Sequence, residues 1–516
     1  EFNIRKDAVC WWIPAMQIDS YELLYKKNIL DSVSLAHTPL TCELNDSLYL
    51  SIHEADLTDY ASMTLRREDN GVLRAFLIPW SDGTKVKTMA PMDSPWRTIQ
   101  LASKAGGLIE SDLILNLNEP NKLEDVSWIK PMKYVGIWWG IHIDKYTFHQ
   151  GPKHGATTEN AMRYIDFAAD HGFDEVLVEG WNIGWEGAWY KSFGKNMDFT
   201  TPTPDFDLFK VQKYARSLGV SLQAYIETCA NTENFLNQID TAFSLYHKLG
   251  YKSVKIGQVG PQFYNGESHH GQYGVNYYRK VLKKAAEYKL SVNFHEPIKA
   301  TGESRTYPNM LSREGARGQE YNSAWSKEIN PPEHTCILPF TRLLGGPMDF
   351  TPGIFDIDGY HPVNTANTTL AKQLAMYVVI YSPIQMAADL PENYEGHPAF
   401  QFIEDVAVDW DTTMVLNGEI GEYITTVRKD KHSDDWYLGS ITNKEPREFT
   451  FKLDFLNSEI SYEAIIYADS PSSNFADNPE SYQITRKILN SEDSLTVRLA
   501  PGGGQAIRFK CMDKSQ

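Results

Sequence analysis

The spacing of hydrophobic positions changes twice along this chain. In residues 1–130 apolar residues fall in short or alternating runs between Gly, Asp, Asn and Pro. Leu48–Ala55 (LYLSIHEA), Gly71–Trp80 and Ser111–Asn118 (SDLILNLN) are the clearest, and such runs predict strands. Long 3.6-residue patterns are few, so this part predicts a β-sandwich. From Lys133 the pattern becomes strand, then amphipathic helix, repeated. Lys133–Trp138, Glu175–Glu179, Ser221–Glu227, Ser253–Gly257 and Leu290–His295 predict buried strands. Helices are predicted over 158–171, 206–218, 233–249 and 275–288, with Thr158 as a cap and Gly172, Gly219 and Gly250 as stops. Residues 370–382 carry mixed helix and strand signals. From Thr412 alternation returns, in GEYITTVRK, DWYLGSIT, REFTFKLDF and YEAIIYAD, and predicts an antiparallel domain.

Repeated βα units with short connections imply a parallel sheet. The repeats extend over enough chain for a (β/α)8 barrel, which takes about 250 residues. A doubly wound open sheet is the alternative, but no GxGxxG follows the first strand. The predicted fold is multidomain: an N-terminal β-sandwich (1–130), a central (β/α)8 TIM barrel (131–411) and a C-terminal antiparallel β-domain (412–516).

Composition narrows the function classes. A formal charge of −18 over 516 residues argues against nucleic acid or an anionic membrane as partner. No apolar run is long enough to span a bilayer. The 13 Trp and 28 Tyr supply flat apolar faces with a polar handle, which suit sugar rings and core packing equally. The five cysteines are odd in number and scattered, without CxxC or zinc spacing, and predict no disulfide framework. The chain opens EFNIRKDAV, without Met or a signal-like segment, and reads as a processed or truncated form.

Barrel enzymes place their reactive groups at the C-terminal strand ends. Here those ends carry Trp138 and Trp139, then Glu179, Glu227, Lys255 and Gly257, and His295 with Glu296, and Glu314 and Glu320 follow in the next segment. A rim of carboxylates and Trp suits glycoside hydrolysis, in which one carboxyl protonates the leaving oxygen and a second activates water or attacks the sugar. Several converging Glu also suit a hard cation such as calcium, although no EF-hand loop is present. A solvated charged loop is the competing reading of Val292–Glu320, and surface position that of Glu54.

Five motifs carry a resemblance: HEPIKATGESRTYPN, REGARGQE, ILPFTRLLGGPMDFTPG, VLVEGWNIGWEG and YLSIHEADLTDY. Together they resemble glycoside hydrolase family 97, and most closely its calcium-dependent, inverting α-glucosidase branch. The resemblance implies sandwich, barrel and C-terminal β-domain, a sandwich shorter than the family's, an oligosaccharide substrate of the maltose and starch type, and a periplasmic or secreted location. It implies Glu320 as general acid and Glu227 and Glu296 as general bases. It implies Glu54, Glu296, Glu314 and Glu320 as ligands of Ca2+, with Glu179, Lys255 and His295 contacting sugar and Trp139 stacking on it. Retaining members carry an Asp nucleophile at the end of strand four, where this chain has Gly257, and lack the His295–Glu296 pair. Both differences imply inversion. Tyr225 stands where the α-glucosidases carry His, which leaves sugar preference open.

Overall fold

A computed structural model describes residues 1–512 except Asp19, Asp46, Asn70 and residues 360–365. At the N-terminus an antiparallel five-stranded sheet runs in the order Lys26–Ile29, Val9–Trp12, Leu40–Asn45, Leu48–Ala55, Trp96–Ala102. It faces a three-stranded sheet of Leu35–Ala36, Met63–Arg67 and Leu73–Leu77. Alternate residues of both, including Trp12, Leu50, Ile52, Met63 and Leu65, form one apolar core. Cys10 and Cys42 are direct cross-strand partners in the larger sheet and are joined by a disulfide. The scattered cysteines therefore do contain a pair, because register rather than spacing brings them together.

Ser111–Asn118, expected as a strand, instead contains a short helix, Leu113–Asn116. Asn118 donates from its amide to the Ile114 and Thr301 carbonyls, so a side chain and a barrel loop serve backbone that a strand would have paired.

The centre is a parallel near-barrel. Its strands are β1 (Met132–Ile137), β2 (Glu175–Val178), β3 (Ser221–Glu227), β4 (Ser253–Gly257), β5 (Ser291–Phe294), β6 (Met310–Arg313) and β7 (Ile384–Ala387). They lie in the spatial order β6-β5-β4-β3-β2-β1-β7. Between β6 and β7 irregular backbone takes the eighth place: Met348 N–H donates to the Tyr381 carbonyl and Asp349 N–H to that of Arg313. Helices α1 (Thr158–Asp170), α2 (Leu208–Ser217), α3 (Thr232–Leu249) and α4 (Gln272–Glu287) cover the outside. Thr157, one residue before the expected cap, accepts the Asn160 N–H at the start of α1.

Residues 370–382 gave mixed signals for a physical reason. Helix α5 (Leu370–Val379) is buried at all ten positions, packed against the C-terminal sheet, and so lacks the polar face that marks a surface helix. The C-terminal domain is a six-stranded antiparallel sheet with a separate two-stranded one.

Candidate active site

The C-terminal ends of β1–β6 place buried ionisable groups at one mouth. Strand β3 ends in Glu227, whose Oε1 accepts the N–H groups of Cys229 and Val259 at 2.6 and 3.1 Å. Cys229 and Ala230 have φ of 51° and 56°, a left-handed pair that turns this backbone back onto the carboxylate. Burial pushes the Glu227 carboxyl up to about 7, against those two bonds. A Cβ built on Gly257, the last residue of the neighbouring β4, would lie 2.1 Å from Glu227 Oε2. The carboxylate fills the space that any side chain at position 257 would need.

Strand β5 delivers His295 and Glu296. Glu296 has φ of 46°, and its Oε2 accepts the Gln258 N–H at 2.8 Å. His295 sits between two carboxylates, Nδ1 at 3.4 Å from Glu314 and Nε2 at 2.9 Å from Asp349. Burial and the Lys255 charge oppose its protonation, but the two carboxylates win and hold it up to about 9. Asp349 also accepts from Asn293 and from the Tyr134 hydroxyl. Lys255 and Glu179 form an ion pair of 2.9 Å, both buried. Burial raises Glu179 and disfavours the Lys255 ammonium, but Lys255 stays above its ordinary value because Glu179 and Asp349 outweigh that cost.

Glu296, Glu314 and Glu22 bring carboxylate oxygens within 4.8 Å of one another, with no other group of that kind among the described residues. Glu22 precedes the first barrel strand by more than a hundred residues, in the N-terminal domain. Its Oε2 accepts from the Tyr321 hydroxyl at 2.7 Å, and its Oε1 is buried without a hydrogen-bond partner. Burial and mutual repulsion push Glu22 and Glu296 well above the carboxylate range. Glu314, despite burial, is held below it by His295. Such a set, short of positive charge and of hydrogen bonds, fits a hard oxygen-seeking cation.

Glu320 is pushed well above its ordinary value by burial and then by the charges of Glu314, Glu22 and Glu296. It lies outside the group of three. Its Oε2 is 4.0 Å from His142 Nε2. Burial drives His142 down to about 3, so the ring is neutral. Trp325 Nε1–H donates to His142 Nδ1, so the ring proton is on Nε2, the nitrogen facing Glu320.

Two expectations are corrected. Glu54 does not face this cluster. It is fully buried between Lys299 (2.5 Å) and Arg97 (2.5 Å) and accepts the Met63 N–H at 2.7 Å. Despite burial those cations hold it below its ordinary value. Glu22 stands in the place expected of it. Trp139 is 1% exposed and packed on Trp138, so it presents no open face, whereas Trp325 is 51% exposed beside Tyr321. Sequence reasoning missed Glu22, His142 and Asp349. Asp349 had a signal, a lone carboxylate inside the apolar motif GPMDF, but Glu22 in SYELLYKK had none.

Residues 138–316 match glycoside hydrolase 97, residues 1–120 its N-terminal domain, and residues 409–510 its C-terminal, oligomerisation domain. A glycoside hydrolase family 97 enzyme from Pseudoalteromonas sp. strain K8, solved in complex with acarbose, is 49% identical. The match covers 98% of this chain and 79% of that one, at a TM-score of 0.96. The chain belongs to glycoside hydrolase family 97. Among curated relatives, a retaining alpha-galactosidase of Bacteroides thetaiotaomicron is 28% identical over 95% of this chain and 74% of its own. A probable retaining alpha-galactosidase of Streptomyces bingchenggensis is also 28% identical, over 85% of this chain and 63% of its own. A β-arabinopyranosidase at 20% identity and a TM-score of 0.78 shares the fold. As a family 97 glycoside hydrolase, this chain acts on carbohydrate. No helix among the described residues is long and apolar enough to cross a membrane.

Proposed function

We propose that this glycoside hydrolase cleaves α-glucosidic bonds of maltose- and starch-type oligosaccharides with inversion and with calcium bound. The observation that carries inversion is the Glu227 carboxylate filling the space beside Gly257. A retaining reaction needs a nucleophile, and the resemblance puts it at position 257, where there is no side chain and where one would have to displace the Glu227 carboxylate. In an inverting reaction a carboxylate on that side activates water instead. The α-glucoside preference is supported by the Pseudoalteromonas enzyme, also solved as a variant with panose, a sugar of α-linked glucose units.

Glu320 is the general acid in this reading. Its burial among carboxylates keeps a proton available near neutral pH for the glycosidic oxygen. Glu227, with Glu296 beside it, takes the proton from the attacking water. Glu179, Lys255 and His295 are the sugar-contacting groups. The ion pair and the Glu314–His295–Asp349 chain fix their orientations. Glu22, Glu296 and Glu314 would hold the calcium. Bound there, the ion supplies positive charge that offsets the carboxylates and polarises the oxygens it touches. Glu22 would then tie the N-terminal domain to the barrel. The Cys10–Cys42 disulfide supports an oxidising, periplasmic or secreted location.

The names of the curated relatives favour a second reading, a retaining α-galactosidase. One experiment separates the two. Aryl α-glucosides, aryl α-galactosides and maltose are hydrolysed with and without EDTA, and the first-formed anomer is followed by NMR. The α-glucosides should be cleaved to β-glucose, and EDTA should remove the activity. An α-anomer as first product, or cleavage of galactosides alone, overturns the proposal.

A further inference from the structure

A cavity of about 690 Å³ lies between the barrel, the segment around Ser111 and the C-terminal sheet. Its lining includes Pro131, Met310 and Pro383, at or just before the first residues of β1, β6 and β7. It therefore opens at the N-terminal ends of the strands, opposite the catalytic mouth. Its size is that of a small-molecule site.

One wall is unusual. Arg428 is 5% exposed, yet it forms no ion pair among the described residues. Its Nε donates to the Val378 carbonyl at 2.7 Å and its Nη1 to the Thr413 hydroxyl at 2.6 Å, while Nη2 has no partner among the described residues. The guanidinium lies 5.2 Å from the Tyr381 ring and 6.0 Å from that of Trp410, both rings half-buried at the cavity. Nη2 is not among the fully buried atoms left without a partner, so its N–H groups are open to whatever fills the cavity. The carboxylates that reach the cavity, Glu110, Asp112 and Asp411, stand exposed at its rim. They disfavour an anion but can accept hydrogen bonds from hydroxyls.

We infer that this cavity is a second, non-catalytic carbohydrate site, in which Trp410 and Tyr381 flank a pyranose ring and Arg428 donates to its hydroxyls. Flat aromatic faces beside a planar donor match the alternating apolar faces and equatorial hydroxyls of a glucose unit. The ligand is a short α-linked glucose oligosaccharide. That choice of sugar rests on the proposed function, while the existence of the site does not.

The test uses the full chain carrying Glu320→Gln, so that sugar binds without being consumed. Maltotetraose is titrated by calorimetry, and backbone hydrogen exchange is followed with and without it. Two molecules should bind per chain, with slowed exchange at residues 408–415 and 424–428 as well as at the catalytic loops. Adding Trp410→Ala should reduce the count to one and remove only the former protection. Trp410→Ala in the otherwise unaltered chain should leave kcat on an aryl α-glucoside unchanged and raise KM for longer chains. If maltotetraose binds nowhere, galactose oligosaccharides are titrated in the same way. That result would refute the α-glucoside reading and leave the count still decisive for this site. A single binding event unaffected by Trp410→Ala, protection confined to the catalytic loops, or protection of 424–428 by inorganic phosphate but by neither sugar, overturns the inference. The exchange measurement needs no second substitution, so it stands even if Trp410→Ala fails to fold.

Discussion

Two groups of buried carboxylates in this molecule are held by opposite means. Glu54, on an inner strand of the N-terminal sheet, sits between Lys299 and Arg97 with both oxygens occupied. Glu22 and Glu314 are also buried, and Glu296 and Glu320 partly so, but the two positive charges nearby, His295 and Lys255, serve four carboxylates and are shared with Glu179 and Asp349. The first group is settled within the chain and sits below its ordinary pKa. Three of the four in the second are forced well above theirs. Burial alone therefore does not mark a functional carboxylate. What marks it is burial without compensation, which leaves a proton or a cation to be supplied.

The largest test of this contrast is Glu320→Gln. It should lower kcat on maltose by about 10²–10⁴-fold, the usual contribution of a general acid. Urea unfolding should show no loss of stability, because the change relieves repulsion. Glu54→Gln should do the reverse. Leaving Lys299 buried with a neutral partner costs about 3–5 kcal/mol, read from the urea midpoint. A Glu54→Gln protein as stable as the parent would erase the distinction between the groups.

Gly257→Ala comes next. Its methyl would meet Glu227 Oε2, so the carboxylate must move, and kcat should fall about 10²-fold, in keeping with displacement of a general base. Calcium at about a hundred times its dissociation constant should stabilise the chain by about 2.7 kcal/mol. Glu22→Gln should abolish that rise in Tm, and Glu54→Gln should keep it.

The smallest effect is in pH. Burial and Lys299 push His53 down to about 3. The unfolded chain takes up that proton first as pH falls below about 6.5, so stability is complete above 6.5 and is lost toward 3. Glu227, pushed up to about 7, has the opposite sign. Its protonated form favours the fold below the unfolded value near 4.3, and that stability is lost as pH rises through 7. In EDTA, between pH 4.5 and 6.5, His53→Asn and Glu227→Gln should therefore change the slope of urea midpoint against pH in opposite directions, each by at most about 1.4 kcal/mol per pH unit.

Much of this was legible in the chain. The strands ending in Glu227 and Gly257 have the expected bounds, because alternating βα units announce themselves through period and glycine stops. Glu227, His295, Glu296, Glu314 and Glu320 do converge, because C-terminal strand ends share one mouth. Ser111–Asn118 misled because eight residues are too few to show a 3.6-residue period: only Ile114 and Asn118, four apart, are buried, and Leu115 between them is exposed. Glu54 misled for a different reason: its motif was recognisable, but which buried cations surround it is a property of packing between domains.

The sequence by itself determined the barrel, the set of carboxylates at its rim and the glycine that ends its fourth strand, and its motifs carried the resemblance to the family. Those are properties of local period and residue identity. Only the tertiary structure decided that Glu22, rather than Glu54, completes the group of three, that Cys10 meets Cys42, that Asp349 and Glu314 hold His295 between them, and that Glu227 fills the space beside Gly257. Each of these depends on residues far apart in the chain meeting within a few ångströms, and on which charges burial leaves without a partner. Neither is written in the order of residues.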